Sequence, residues 1–306
     1  MSTAVIVREV GPRDGLQLVS DFLPTKTKLE WITKQAETGF SEIEVTSFVP
    51  PKLMPQFADA ESVISVTNNL PNVTASALAL NFKGVIRAIE AGAKVVNFVL
   101  SASEEHSQSN ARTSTEQAIN VFKSAQEWQQ KNAPNAIISV AIATSFGCSL
   151  QGNVPEYQVA KIASQLVEFG AAEITLADTV GYANPLQVKR IFKAVAAEVG
   201  NIPLTAHFHD TRGLGLANVV AALDAGVRKF DAALAGLGGC PFAPGASGNI
   251  ATEDTVYMLE TLGLRTGINL EKLMKLRENF ALWLPNEQLQ GRLGNAGVAR
   301  TFTYAA

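Results

Sequence analysis

Two of the chain's three histidines, His207 and His209, are separated by one residue and directly follow the apolar run 202–206. In an extended strand, side chains at positions i and i+2 point to the same face, so both imidazoles can bind one metal ion at the end of that strand. A single histidine is more often a buried structural residue than a ligand. The metal-site hypothesis therefore depends on what the rest of the chain brings to the same place.

Polar or ionisable residues also follow nearly all of the remaining predicted strands. They are Arg13 and Asp14 after strand 1, Glu44, Thr46 and Ser47 at strand 2, Asn81 after strand 3, residues 101–106 after strand 4, Thr144 and Ser145 after strand 5, Asp178 and Thr179 after strand 6, and the Gly-rich loop 236–249 after strand 8. Such residues can also have purely structural roles: Arg13 and Asp14 can form a surface ion pair, and Asp178 can cap a helix. Their recurrence at successive strand ends favours a shared functional site.

Four of these residues form a plausible ligand set for a metal ion. Asp14, His207, His209 and Asn249 would supply one carboxylate, two imidazoles and one amide oxygen, with water completing the shell. Such a set is typical of a divalent ion, Mg, Mn, Co or Zn, in an open catalytic site. The absence of a thiolate ligand argues against structural zinc.

The elements that must position these residues repeat along the chain. Four amphipathic helices end at Gly39, Gly92, Gly170 and Gly226, and each is followed by a short run rich in branched residues. The pattern predicts strands over 5–10, 43–45, 73–78, 95–100, 137–143, 174–177, 203–207 and 230–234. It predicts helices over 25–38, 85–91, 115–130, 155–169, 185–199 and 215–225, with a further helix over 269–283.

Eight strands alternating with helices predict a (β/α)8 TIM barrel over residues 1–267. Residues 268–306 are expected to form a helix and tail packed on the barrel as part of the same domain, although Gly291, Gly294 and Gly297 weaken any helix there. An open, doubly wound sheet is the alternative fold. Active sites of barrels lie at the C-terminal ends of the strands, which is where the polar residues fall.

Composition excludes several other classes of protein. Apolar residues make up 47% of the 306 positions and charged residues 17%, which suits a large folded core. The net charge of −3 disfavours a nucleic-acid-binding surface. The two cysteines, Cys148 and Cys240, fit a reducing compartment, and neither a signal pattern nor a membrane-length apolar stretch is present. We expect a cytoplasmic protein.

Five motifs occur in order along the chain: GPRDGLQ at 11–17, EVTSF at 44–48, DTVG at 178–181, AHFHDT at 206–211 and the Gly-rich segment 236–253. Together they resemble the 3-hydroxy-3-methylglutaryl-CoA lyase family of the DRE-TIM metallolyases. The resemblance implies a TIM barrel that binds Mg or Mn through Asp14, His207, His209 and Asn249. It also implies cleavage of a 3-hydroxy-3-methylglutaryl thioester to acetyl-CoA and acetoacetate, with these residues at the reacting centre: Arg13, Glu44, Asp178, His207 and Cys240.

Each of those residues has an expected role. Arg13 would stabilise the negative charge that develops on the thioester oxygen, and Glu44 would orient Arg13 or a bound water. Asp178 or His207 would take the proton from the substrate hydroxyl. Cys240, in a Gly-rich loop able to move, would protonate the enolate carbon, although a free cysteine is more often a small buried hydrophobe.

One departure from the family pattern leaves the substrate open. Family members carry Asn-Glu after the GLQ motif, whereas this chain has Leu18-Val19-Ser20, close to where an acyl-CoA should enter. Citramalyl-CoA and longer 3-alkyl glutaryl-CoA thioesters are therefore alternative substrates. Candidate partners for the CoA phosphates are Lys52, Lys83 and Arg112.

Two other functions remain as alternatives. One is a Claisen condensing synthase of the isopropylmalate or homocitrate type, although such enzymes extend well beyond the barrel. The other is a barrel that binds an acyl-CoA without turning it over. A homodimer or higher homo-oligomer is compatible with the sequence.

Overall fold

The computed structural model describes residues 3–238 and 248–305. The eight strands form one closed parallel barrel in the order of the sequence. They are β1 (Ile6–Glu9), β2 (Glu42–Ser47), β3 (Thr74–Ala79), β4 (Val95–Ser101), β5 (Ile137–Ala143), β6 (Ile174–Asp178), β7 (Leu204–Phe208) and β8 (Lys229–Ala232). The prediction of a TIM barrel is confirmed, and the open sheet is excluded because β1 pairs with β8.

Helices alternate with the strands and continue past the barrel. Within the described residues they are α1 (Thr25–Glu37), α2 (Ala60–Thr67), α3 (Phe82–Glu90), α4 (Glu104–Ala111), α5 (Thr115–Asn132), α6 (Glu156–Glu168), α7 (Pro185–Val199), α8 (Gly215–Asp224), α9 (Thr252–Thr261), α10 (Leu270–Glu278), α11 (Phe280–Trp283) and α12 (Leu293–Ala296). In the described parts of the chain, no helix combines the length and apolar content needed to cross a bilayer.

The sequence pattern missed four helices, α2, α4, α9 and α12, and it missed the first two for different physical reasons. The α4 sequence is polar and has no apolar stripe. The helix begins after its N-cap residue Ser103, whose hydroxyl accepts a hydrogen bond from the His106 amide. In α2, the sequence AESVISVT is rich in branched residues and gives no clear helical period. The single helix predicted over 269–283 is divided at Asn279 into α10 and α11.

The strands bury side chains on both faces, as parallel strands do. In β4, Val96, Phe98 and Leu100 are buried and alternate with Asn97 and Val99, which line the barrel interior. Phe98 packs against Phe122 of α5 with ring centroids 5.8 Å apart. One face therefore holds the helices, and the other is left for the site.

The barrel interior contains buried charges. Arg8 of β1 is 2% exposed, and its guanidinium donates to Asp231 of β8 at 2.8 and 3.0 Å and to Glu173 at 3.2 Å. Lys229 pairs with Glu173 at 2.6 Å from the other side. Removing one partner of such a network would leave an uncompensated buried charge, so we expect its members to be sensitive to single substitutions.

Contacts from the chain's C-terminal part reach the barrel. Arg277 of α10 forms an ion pair with Glu253 of α9, and Phe280 packs edge-on against Trp31 of α1 with centroids 4.6 Å apart. The division into a barrel through residue 267 and an extension in the same domain stays a prediction.

Candidate active site

The loop after β1 places Arg13 and Asp14 at the mouth of the barrel. The amides of Arg13 and Asp14 donate to the Val10 carbonyl at 3.1 and 2.7 Å, which turns the chain sharply after the strand. Gly11 is required in this turn, because a Cβ there would lie 2.4 Å from Glu9 Oε1 and 2.9 Å from the Trp31 ring. The turn directs Asp14 toward the histidines at the end of β7 and Arg13 toward Glu44 of β2.

The predicted metal ligands meet at this point. Candidate ligand atoms of Asp14, His207 and His209 all lie within 4.8 Å of one another. Asp14 Oδ2 is 3.6 Å from His209 Nε2 and 4.0 Å from His207 Nε2. The structure therefore brings together the three titratable members of the predicted set.

Asn249, the fourth predicted ligand, is held beside His209 by the backbone. The two residues form an antiparallel bridge, in which the Ile250 amide donates to the Phe208 carbonyl at 3.2 Å. Asn249 Nδ2 donates to Asp14 Oδ2 at 2.7 Å, while Asn249 Oδ1 is buried without a hydrogen-bond partner among the described residues. This unpaired amide oxygen, the carboxylate and the two imidazoles together form a donor set that a divalent cation prefers. These residues therefore fit the metal.

Asp14 is kept ionised by its neighbours. Burial alone would raise the pKa of this carboxyl, but the Arg13 guanidinium, at 2.6 Å from Asp14 Oδ1, and the two histidines outweigh it and hold the pKa well below its usual range. A carboxylate that stays charged near neutral pH is ready to bind a cation.

His207 is oriented from the side opposite to Asp14. Its Nδ1 lies 3.3 Å from Asp231 Oδ2, which leaves Nε2 facing the ligand cluster. Burial alone would lower the pKa of His207, but Asp231 and Asp14 outweigh it and raise the pKa. A carboxylate that fixes the distal nitrogen of a ligand histidine is a common arrangement in metal sites.

Glu44 holds Arg13 in place. Its Oε2 accepts a hydrogen bond from Arg13 Nε, and its Oε1 accepts one from Asn97 Nδ2 at 2.9 Å. The guanidinium is thus fixed between Glu44 and Asp14 and lines the cavity at the barrel mouth. This geometry supports the expectation that Glu44 orients Arg13.

Asp178 lies next to the site, with both oxygens in use. Its Oδ1 and Oδ2 accept hydrogen bonds from the amides of Tyr182 and Ala183 at 2.8 and 3.1 Å, so it stabilises the turn after β6. Burial raises the pKa of this carboxyl. Asp178 therefore has a structural contact, although the predicted helix cap is wrong, because Asn184 caps α7. Its role as a base stays a prediction.

Cys240 belongs to residues 239–247 and lies outside the described residues, so its predicted role as an acid stays a prediction. Other polar residues at strand ends have local structural roles. Asn81 caps α3 by accepting from the Gly84 amide, and Thr144 Oγ1 accepts from the Ser103 amide. His106, isolated in the sequence, is buried and lines the cavity.

The cavity has two unlike walls. Its polar wall is formed by Arg13, Asp14, Gln17, His207, His209 and Asp231. Its apolar wall is formed by Val49, Met54, Leu78, Leu80 and Val99. The exposed side chains of Lys52, Lys83 and Arg112 lie on the segments after β2, β3 and β4, and their predicted contact with the CoA phosphates stays a prediction.

Sequence reasoning missed three residues that support the site: Arg8, Asn97 and Asp231. All three are buried, inward-facing side chains within the strands rather than at their ends. A partial signal was present, because each is a polar residue within a predicted buried strand, and a buried polar side chain needs a partner.

Comparisons with known proteins identify the family of this chain. The family model described as HMGL-like matches residues 4–279. Hydroxymethylglutaryl-CoA lyase YngG of Bacillus subtilis is 42% identical over 290 residues, which cover 94% of this chain and 96% of that protein. The mitochondrial hydroxymethylglutaryl-CoA lyase of Gallus gallus is 42% identical over 270 residues, which cover 88% of this chain and 90% of that protein.

Comparison with solved structures points to the same family. An HMG-CoA lyase from Acinetobacter baumannii, in complex with coenzyme A and 3-methylmalate, superposes with a TM-score of 0.93 at 42% identity and covers 99% of this chain and 98% of that chain. The carboxyl transferase domain of Rhizobium etli pyruvate carboxylase, at 18% identity, TM-score 0.72 and covering 100% of this chain and 50% of that chain, shares the fold alone.

Proposed function

The chain belongs to the HMGL-like family, and from this premise we propose that it is a divalent-metal-dependent carbon–carbon lyase that cleaves 3-hydroxy-3-methylglutaryl-CoA to acetyl-CoA and acetoacetate. The observation that carries the proposal is the cluster of Asp14, His207 and His209 at the barrel mouth, with Arg13 fixed beside it. A relative of known structure binds coenzyme A together with a hydroxy acid, which supports an acyl-CoA substrate.

Asp14, His207, His209 and Asn249 would hold the cation, for which Mg²⁺ and Mn²⁺ are the first choices from the mixed oxygen and nitrogen donors. When bound, the cation supplies Lewis-acid polarisation of the substrate hydroxyl. Asp231 keeps His207 in one orientation throughout, and Asn249 Nδ2 fixes the Asp14 carboxylate.

Arg13 acts where negative charge develops. The C3 hydroxyl loses its proton to a base, the C2–C3 bond breaks, and its electron pair moves into the thioester to give an enolate while C3 becomes the ketone of acetoacetate. The Arg13 guanidinium, held by Glu44 on one side and Asp14 on the other, would stabilise the enolate oxygen. A proton donated to C2 completes acetyl-CoA, and Cys240 is our candidate donor.

Asp178 and His207 are the two candidates for the base, and the structure suggests how to separate them. Asp178 is not a member of the ligand cluster, so Asp178→Asn should retain Mn²⁺ affinity. If Asp178 is the base, this variant loses turnover by roughly 10²–10⁴-fold, the usual worth of general base catalysis. If its turnover stays within a few-fold of wild type, His207 remains as the base.

The central experiment supplies purified protein with Mg²⁺ or Mn²⁺ and 3-hydroxy-3-methylglutaryl-CoA, and follows acetyl-CoA and acetoacetate by mass spectrometry. We expect both products in equal amounts, and we expect Arg13→Met to abolish turnover while the exposed Arg190→Met does not. Citramalyl-CoA and a 3-ethyl analogue, assayed in parallel, identify the substrate. Failure to cleave any of these 3-hydroxyacyl thioesters would refute the lyase proposal.

Cys240→Ala and the cation screen complete the assignment. If Cys240 is the acid, its alanine variant binds Mn²⁺ like wild type but loses turnover; unchanged turnover would remove that role. A screen of Mg²⁺, Mn²⁺, Co²⁺ and Zn²⁺ by turnover identifies the working metal. The cytoplasmic location and the homo-oligomeric state stay predictions.

A further inference from the structure

A left-handed turn follows β8, on the way to Asn249. Ala235 has φ 59° and ψ 21°, and Gly236 has φ 61°. A left-handed conformation costs a residue with a side chain roughly 1–2 kcal/mol, so the surroundings must hold Ala235 in place.

Two partners hold Ala235, one on each side of its backbone. Its amide donates to Glu253 Oε2 at 3.0 Å, and its carbonyl accepts from the Gln290 amide at 2.7 Å. Arg277 joins these partners, because its Nε donates to Glu253 Oε1 at 2.7 Å and its Nη2 donates to the Gln290 carbonyl at 2.8 Å. We call this closed ring of Ala235, Glu253, Arg277 and Gln290 the Arg277 clamp.

Two tail glycines, which the sequence analysis used only as an argument against a helix, make room for the clamp. A Cβ on Gly291 would lie 2.8 Å from Glu253 Oε1. A Cβ on Gly294 would lie 2.3 Å from Arg277 Cζ. The C-terminal segment is therefore shaped to pack directly on the buried ion pair between Glu253 and Arg277, whose side chains are 0% and 14% exposed.

The turn held by the Arg277 clamp is connected by hydrogen bonds to the predicted metal ligands. The carbonyl of Leu237, two residues after Ala235, accepts from Asn249 Nδ2 at 3.1 Å. The same Nδ2 donates to Asp14 Oδ2 at 2.7 Å. A Cβ on Gly238 would lie 2.9 Å from Asn249 Nδ2, so the backbone at 237–238 sets the orientation of the Asn249 amide.

We propose that Arg277 is a positioning residue for the metal site, acting through the Ala235 turn on Asn249, so that the C-terminal segment is part of the active-site support. The inference rests on the proposed function, in which Asn249 is a ligand. Under this proposal Arg277, which lies on α10, affects the affinity for the metal although it contacts none of the predicted ligands.

The test compares Arg277→Gln, Arg277→Lys and Gly294→Ala with Asn295→Ala, whose exposed side chain lies on the neighbouring position of α12. Mn²⁺ affinity is measured by titration calorimetry at a temperature where circular dichroism shows each variant folded. Amide hydrogen exchange at Ala235 reports on the turn itself. Gly294→Ala displaces the guanidinium without removing a charge, so it tests the clamp even if Arg277→Gln does not fold.

We expect Arg277→Gln and Gly294→Ala to lower Mn²⁺ affinity by roughly 10-fold, the lower end of what supporting residues of metal sites contribute, and to speed exchange at Ala235. Lysine keeps the charge opposite Glu253 but cannot also reach Gln290, so it should restore part of the affinity. Asn295→Ala should match wild type.

Unchanged Mn²⁺ affinity in both Arg277→Gln and Gly294→Ala would overturn the positioning role. A wild-type protein that binds no Mn²⁺ would instead refute the metal site itself, and the positioning role with it. The two failures are thus distinguishable.

Discussion

Glu9 is a completely buried carboxyl group on which the support of the site converges. Its Oε1 accepts from the amides of Gly11 and Leu234 at 2.8 and 2.9 Å, and its Oε2 accepts from Gln35 Nε2 and Thr252 Oγ1 at 3.0 and 2.8 Å. These donors belong to the β1 loop, the end of β8, α1 and the start of α9. One group therefore joins the segments that carry Arg13, Asp14 and Asn249.

Burial raises the pKa of Glu9 from 4.5 to about 8, because the four donors do not compensate fully for the loss of water around its charge. At about 1.4 kcal/mol per pKa unit, the difference between the pKa of Glu9 in the folded and unfolded chains corresponds to about 5 kcal/mol in the free energy of unfolding. Below pH 4.5 the group is protonated in both the folded and the unfolded chain. As the pH rises toward 8, the unfolded chain releases this proton first, so the stability that Glu9 contributes is lost across that window.

The perturbation is Glu9→Gln, which keeps the shape and one acceptor oxygen but cannot ionise. The melting temperature of wild type minus that of the variant should fall steadily between about pH 5 and pH 8 and then level off. For a chain of this size, 1 kcal/mol corresponds to roughly 2 °C, so the difference should change by about 5 °C between pH 6 and pH 8. Differential scanning calorimetry of both proteins measures it.

The matched control is Glu127→Gln, on the exposed face of α5. Its melting temperature relative to wild type should not depend on pH over the same range. A wild-type-minus-Glu9→Gln difference that is equally flat would refute the reasoning, because it would mean that Glu9 ionises in the folded protein as easily as in the unfolded one.

Three further predictions concern the site. Asp231→Asn should lower Mn²⁺ affinity roughly 10- to 100-fold, because His207 loses the carboxylate that orients it, whereas the exposed Asp224→Asn should not; calorimetric titration measures both. Glu44→Gln should lower kcat by roughly 10²-fold with a much smaller effect on Mn²⁺ affinity, since it releases Arg13 rather than a ligand; equal losses in both would contradict the assignment. Mn²⁺ at about 100 times its Kd should stabilise the fold by about 2.7 kcal/mol, and either chelation or Asp14→Ala should abolish the resulting rise in Tm.

The barrel was predictable because its signal is repetitive. Each apolar strand is buried between the barrel interior and a helix, and four of the eight strands follow a helix that ends at a glycine, so errors in single elements do not change the predicted fold. The missed helix α4 shows where the signal ends: its polar sequence forms a helix that Ser103 caps and that buries only His106 and Ser107, and neither feature is visible as a period.

The convergence of Asp14, His207 and His209, the predicted metal ligands, has a geometric reason that the sequence shows. Parallel strands in a barrel all end at one rim, so polar residues that follow different strands in the sequence must approach one another in space. Asp14 and His209 are almost two hundred positions apart in the chain, yet their ligand atoms are 3.6 Å apart. Asn81 obeyed the same pattern and became a helix cap, which shows that position at a strand end brings a residue to the rim without deciding what it binds.

The pairings of the supporting residues were not predictable, because no sequence spacing encodes them, although a polar residue within a buried strand does indicate that a partner is needed. Arg8 and Asp231 are opposite each other only because β1 closes the barrel against β8, and this register places the carboxylate where it meets both Arg8 and His207. The carboxylate is held ionised in turn: burial alone would raise the pKa of Asp231, but Arg8 and His207 outweigh it and lower the pKa. Closure of the barrel therefore does more than gather the ligands at the rim, since it also creates the buried charge that orients one of them.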